Sequence, residues 1–123
     1  MNRLINCYGN FESERLKIKN NRVVYLKSNH AMIKLAKNQH KLLICLIAEI
    51  NCKQKIIERL WGGGDTSHDN KYNQLIFKLR KSLSAAGFPD DTILTIHRYG
   101  VCLNKNLLVK KTDPLLMKHD TLI

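Results

Sequence analysis

No stretch of this 123-residue sequence stays apolar for long. The longest unbroken run, Leu42 to Ala48, falls far short of the roughly 20 residues that cross a bilayer, so no membrane span is expected. No N-terminal segment combines a charged start, an apolar middle and a small-residue cleavage site, so no secretory signal is read. Repeats and low-complexity tracts are absent. The four cysteines, Cys7, Cys45, Cys52 and Cys102, form no CxxC pair and no Cys/His cluster with zinc-finger spacing. They read as reduced thiols of a cytosolic protein, with Cys45 a small buried hydrophobe inside the apolar run. Gly62-Gly63-Gly64 lacks the spacing and terminal Lys-Ser/Thr of a phosphate-binding loop and reads as a flexible connector. The five histidines are scattered, and spacing suggests no carboxylate partner for any of them. No catalytic residue, metal site or cofactor can be assigned, which argues against an enzyme.

Acid is scarce as well. Ten Asp and Glu face 21 Lys and Arg, a formal net charge of +11. The hydrophobic fraction of 44% argues against a disordered chain, and the length suits one domain with a single core. A small folded domain this basic usually meets something acidic, most often nucleic acid. Composition does not locate a binding face, however. Residues 1–66 carry 12 basic and 5 acidic side chains, and residues 67–123 carry 9 and 5. A spread positive charge also serves plain solubility.

Short β-prone runs come first: Leu4 to Tyr8, Leu16 to Ile18, Val23 to Leu26 and Met32 to Leu35, separated by Gly9-Asn10, Asn20-Asn21 and Ser28-Asn29-His30. They predict a small antiparallel sheet. The period then turns helical, with Leu42, Leu43, Leu46, Ile47 and Ile50 on one face. Asn38 is the expected cap of this first helix and Asn51 its end. A second helix is expected from Lys53 to Trp61, with Ile56, Ile57, Leu60 and Trp61 inward, stopped by the glycines. The third is expected from a Ser67 or Asp69 cap to Ala85 or Ala86, with Gly87 as its stop. Ile93 to Ile96 and Val101 to Leu103 then predict two strands around a tight turn, in which Gly100 is free to take a positive φ. The tail from Val109 shows no clear period. The fold class is α+β, a winged helix-turn-helix: an N-terminal antiparallel sheet, a three-helix core and a C-terminal β-hairpin wing over residues 1–108, then a tail over 109–123.

The third helix is the most informative segment. Tyr72, Ile76, Leu79 and Leu83 share one face and read as core, while Asn70, Gln74, Phe77, Lys78 and Lys81 lie opposite. Between Asn70 and Leu83 there are four cations, Lys71, Lys78, Arg80 and Lys81, and no acid. The chemistry follows from geometry. A major groove roughly 12 Å wide admits one helix; Asn and Gln pair bidentately with adenine, and Lys or Arg donates to guanine. Asn70, Asn73, Gln74 and Lys78 have the types and spacing for that. A hairpin carrying His97, Arg98 and Tyr99 can place Arg98 near a minor groove or a phosphate.

Over about residues 5–105 the sequence resembles the OmpR/PhoB-type winged-helix DNA-binding domain of bacterial transcription regulators. The stretch Leu35 to Leu46 is similar to the family's first-helix pattern, and Ile56-Ile57-Glu58-Arg59-Leu60-Trp61 to the end of its second. Leu79-Arg80-Lys81-Ser82-Leu83 resembles the LRK-x-L end of its recognition helix, and Ile93-Leu94-Thr95-Ile96 the start of its wing. Asn70 to Ile76 looks like the corresponding stretch of the ToxR/CadC-like branch, whose members carry the domain at the N-terminus without an upstream receiver. Those regulators usually continue into a membrane span, and this chain does not, which implies either a free-standing domain or a fragment of a membrane-anchored regulator. Three departures stand out: Ala36 replaces the Thr that caps the first helix, Gln39 replaces its Glu, and the aromatic after the wing glycine is missing, with Tyr99 on the other side.

The resemblance implies a sequence-specific regulator of transcription, bacterial and cytoplasmic, associated with the nucleoid when bound, with double-stranded DNA as partner. The recognition helix, about 69–85, would enter the major groove, and the wing, about 95–101, would lie on the minor groove and backbone. The implied contacts are Asn70, Lys71, Asn73, Gln74, Phe77, Lys78 and Lys81 on the helix and Thr95, His97, Arg98 and Tyr99 on the wing. Trp61 and Arg80 resemble phosphate-touching positions. Trp61 also reads as a core anchor, and Arg80 as a partner for Glu49 or Glu58. The loop 62–68 matches a segment that contacts RNA polymerase in the family. One such domain buries too little surface for high specificity alone, so a homodimer on repeated half-sites is the expected mode. The alternative is a winged-helix protein-interaction module acting with another regulator, with Phe77 and the altered wing serving that partner.

Overall fold

The computed structural model describes residues 10–62 and 67–108. The expectations for Leu4 to Tyr8, Cys7 and the tail from 109 lie outside them. The chain begins with β1 (Phe11–Glu12), β2 (Leu16–Ile18), β3 (Val23–Leu26) and β4 (Ala31–Lys34), which pair in that order as one antiparallel sheet. Alternation decides which face is buried. Phe11, Leu16, Ile18, Val24, Leu26 and Ala31 point into the core, while the outward row sets Lys17 opposite Tyr25 and Tyr25 opposite Met32. β1 escapes sequence reading because two residues cannot display an alternation. Ser13, buried beside it, donates through Oγ to the Leu107 carbonyl, tying the sheet to the short 3-10 turn Lys105–Leu108.

Three helices follow: α1 (Lys37–Ile47), α2 (Lys53–Trp61) and α3 (Ser67–Ala85). Asn38 does not cap α1. The flanking residue is Ala36, which has no side-chain oxygen, and only the reciprocal half of a capping box forms: the Ala36 N–H donates to Gln39 Oε1 at 3.0 Å. Asn51 does not end α1 either. The helix stops at Ile47, Glu49 turns left-handed at φ 64°, and the Ile50 N–H bonds back to the Cys45 carbonyl at 2.8 Å. α3 closes in the same way but with the favoured residue: Gly87 is left-handed at φ 105°, and the buried Phe88 donates to the Leu83 carbonyl at 2.9 Å. Ser67 and Asp69 lie within α3.

The core joins Leu42, Leu43, Leu46 and Ile47 of α1 to Ile56 and Ile57 of α2 and to Tyr72, Leu75, Ile76, Leu79 and Leu83 of α3. The expected α3 stripe is therefore buried, with Leu75 added to it. Leu60 and Trp61 are only partly buried against this core. Cys45, Cys52 and Cys102 are free thiols, and burial pushes the Cys45 thiol above its ordinary range. A hairpin of β5 (Ile93–Ile96) and β6 (Gly100–Leu103) follows α3 and leads into the 3-10 turn.

Candidate nucleic-acid interface

α3 separates its residues cleanly. Asn70, Lys71, Asn73, Gln74, Phe77, Lys78 and Lys81 are all exposed, and Arg80 is half-buried at the margin of the core stripe. The hairpin exposes Thr95 on β5 and His97, Arg98 and Tyr99 in its turn. Between helix and hairpin lies an open groove of about 590 Å³. Asn73, Phe77 and Arg80 line its helix wall, and Thr95, Arg98 and Tyr99 its hairpin wall. Six of the predicted contacts thus converge on one groove. Asn70, Lys71, Gln74, Lys78 and Lys81 sit on the same helix outside it, and His97 stands at the hairpin tip, also outside it.

Two residues hold the walls together. Arg80 donates through Nη2 to Thr95 Oγ1 at 2.6 Å, a direct strap from helix to hairpin. Gly100 does the rest, for a reason other than the one expected. Its φ is not positive; the left-handed residue of the turn is Arg98, at φ 59°. A Cβ on Gly100 would instead stand 1.8 Å from the Asn51 carbonyl oxygen. The glycine permits contact between backbones: Val101 N–H donates to the Asn51 carbonyl at 3.2 Å, Lys53 N–H to the Tyr99 carbonyl at 2.9 Å, and Cys52 bridges to Gly100. The hairpin is thereby sewn onto the α1–α2 junction.

This seam brings in groove residues that the sequence reading missed, Lys53 and Gln54 at the start of α2. Lys53 lies 3.5 Å from Asp69 and 5.5 Å above the Tyr72 ring. Burial raises the Tyr72 phenol above its ordinary range; Cys52 adds to the rise and Arg80 opposes it. The ring stays neutral and serves the ammonium as a cation–π platform. No signal in the local pattern marks Lys53, because its place depends on the long-range backbone contact at Gly100.

Trp61 is not at the groove. It ends α2 and stacks on His68 at the start of α3, with ring centroids 5.7 Å apart and planes 20° from parallel. Of the 62–68 loop, Gly62 is left-handed at φ 89° and caps α2; residues 63–66 lie outside the described ones. Among the described residues, no group of three or more His, Cys, Asp and Glu is placed to hold a metal ion, and no helix is long and apolar enough to cross a membrane.

Comparison with known proteins agrees with this fold. The family described as "Transcriptional regulatory protein, C terminal" matches residues 30–103. No curated protein matches the chain. Fourteen solved chains do. One of them is the C-terminal domain of the nisin resistance regulator NsrR, a lantibiotic response regulator, at a TM-score of 0.60 and 21% identity. That match covers 75% of this chain and 93% of the other, and it establishes a shared fold.

Proposed function

The chain belongs to the family of transcriptional regulatory protein C-terminal domains, the OmpR/PhoB-type winged-helix DNA-binding domain of transcription regulators, and from that premise we propose which of its surfaces reads the DNA. α3 enters the major groove. The β5–β6 hairpin lies on the adjacent minor groove, and the strand between them runs along the groove that separates helix from hairpin. Asn70, Asn73, Gln74 and Phe77 meet base edges. Lys71, Lys78 and Lys81 meet bases or phosphates, and Thr95, His97, Arg98 and Tyr99 meet the backbone and minor groove. Arg80 and Trp61 act chiefly by holding these elements in place.

The observation that carries this reading is the exposed face of α3: amides and cations with no acid from Asn70 to Leu83, set beside a hairpin whose Arg98 faces the same groove. Binding of promoter fragments by wild type, Gln74→Ala and Lys78→Ala tests it. Both variants are expected to weaken specific binding, by about tenfold for a bidentate base contact. Unchanged specific binding in both sinks the assignment. Affinity is expected to fall steeply with salt, because phosphate neutralisation dominates it.

The finer identity is also part of the proposal. The likeness of Asn70 to Ile76 to the ToxR/CadC-like branch supports placing the chain there. Two copies on repeated half-sites, contact with RNA polymerase through the 62–68 loop and a cytoplasmic location follow from the family resemblance. A gel-shift titration with one and two half-sites tests the first of these: binding to two is expected to be cooperative.

A further inference from the structure

Phe77 is 64% exposed, the most exposed large hydrophobic side chain among the described residues. On its own helix it has no apolar company. Its helical neighbours three and four positions away, Asn73, Gln74, Arg80 and Lys81, are all hydrogen-bonding or charged. The core of a protein-docking surface is largely apolar and depleted in charged side chains. On the exposed face of α3 this ring is a single apolar element among donors, and it lines the helix wall of the groove, with Tyr99 on the hairpin wall.

One molecular surface has the complementary composition. In the major groove, thymine presents a C5-methyl group beside the O4 acceptor, and its adenine partner presents an N7 acceptor and an N6 donor. The ring supplies the apolar contact, and Asn73 and Gln74 supply amides next to it. Lys81 Nζ stands 5.8 Å from the ring centroid. This cation–π contact orders the ring and sets a positive charge beside it.

We infer that Phe77 makes recognition depend on the 5-methyl group of a thymine in the bound site. The inference rests on α3 being the reading helix, and the test separates the two. Wild type is first used to select a preferred site from a random duplex library. Each thymine of that site is then replaced singly by deoxyuridine, which deletes the methyl and keeps every hydrogen-bonding group. Wild type is expected to lose about fourfold in affinity at one position per half-site, the worth of one buried methyl. Phe77→Ala, whose ring is exposed and whose replacement is a good helix former, is expected to fold normally. It should bind the thymine and deoxyuridine duplexes equally well.

Equal binding of wild type to every thymine and deoxyuridine duplex overturns the inference, as does undiminished methyl sensitivity in Phe77→Ala. If either occurs while Gln74→Ala or Lys78→Ala still weakens the selected site, only the role of Phe77 falls, and the ring is left for a protein partner. If no preferred site is selected, the helix does not read bases and both readings fall together.

Discussion

Two cationic surfaces stand on this small domain, and they are built differently. On the outer face of the sheet, Lys27 is answered: its Nζ lies 2.6 Å from Glu12 Oε2 and 2.9 Å from the Ser13 carbonyl. Lys19 rests over the Tyr25 ring at 5.5 Å. On α3 the only acid is Asp69 in the first turn, which faces Lys53, and beyond it the cations have no carboxylate on their own helix. The two surfaces share no groove residue. A net charge of +11 is thus no map of function. The surface proposed to read DNA differs in setting cations with no carboxylate on their own helix beyond its first turn next to amides that can address bases.

The largest expected effect falls on the seam. Gly100→Ala would drive a Cβ into the Asn51 carbonyl and is expected to cost about 3 kcal/mol or more, by forcing backbone apart. Urea unfolding measures this, and hydrogen exchange should show protection lost first in β5 and β6 and kept in the sheet. Next in size is the contrast of charges. Arg98→Ala is expected to weaken DNA binding about tenfold and to lower the slope of log affinity against log salt by about one. Lys19→Ala should leave the slope unchanged, and equal slopes in both variants would erase the distinction between the surfaces.

Smaller effects come from turns. Arg98 and Arg22 both hold left-handed backbone, at φ 59° and 72°. Replacing either by Gly is expected to stabilise the fold by about 0.5 kcal/mol, through relief of that strain against the entropy of glycine. Only Arg98→Gly should impair DNA binding. The smallest effect is a pH dependence confined to the sheet. The hydrogen bond from Lys27 holds the Glu12 carboxyl below its ordinary range. A lowered folded pKa means that the contribution is present above that range and is lost as pH falls through it. Glu12→Gln should flatten the acid side of the stability profile slightly, and solvent screening keeps the effect small.

Much of this was legible in the sequence because it is periodic. β2, β3, β5 and α2 fall on their expected residues, and the α3 stripe is buried as its spacing requires. β4 runs one residue earlier than expected, from Ala31 to Lys34. What local pattern could not supply was anything set by contact across the chain. Asn38 has the better capping side chain, yet backbone geometry puts Ala36 at the cap. Gly100 reads as a turn glycine, although its constraint is Asn51, far away in sequence. Local pattern suits Arg80 equally to a phosphate or an acidic partner, and its hydrogen bond goes to a hydroxyl, Thr95. Lys53 borders the groove only because the hairpin seats on the α1–α2 junction.

The seam at Gly100 also has a consequence for the DNA. Stitched to the α1–α2 junction and strapped to α3, the hairpin cannot slide or rotate independently of the helix. With α3 in the major groove and the hairpin on the minor groove, as proposed, the protein would carry a fixed ruler between the two contacts. B-DNA turns once in about 10.5 base pairs, so one base pair inserted between the two halves of a site would swing one of them roughly a tenth of a turn out of phase. An operator for this domain should tolerate a changed letter far better than a changed spacing.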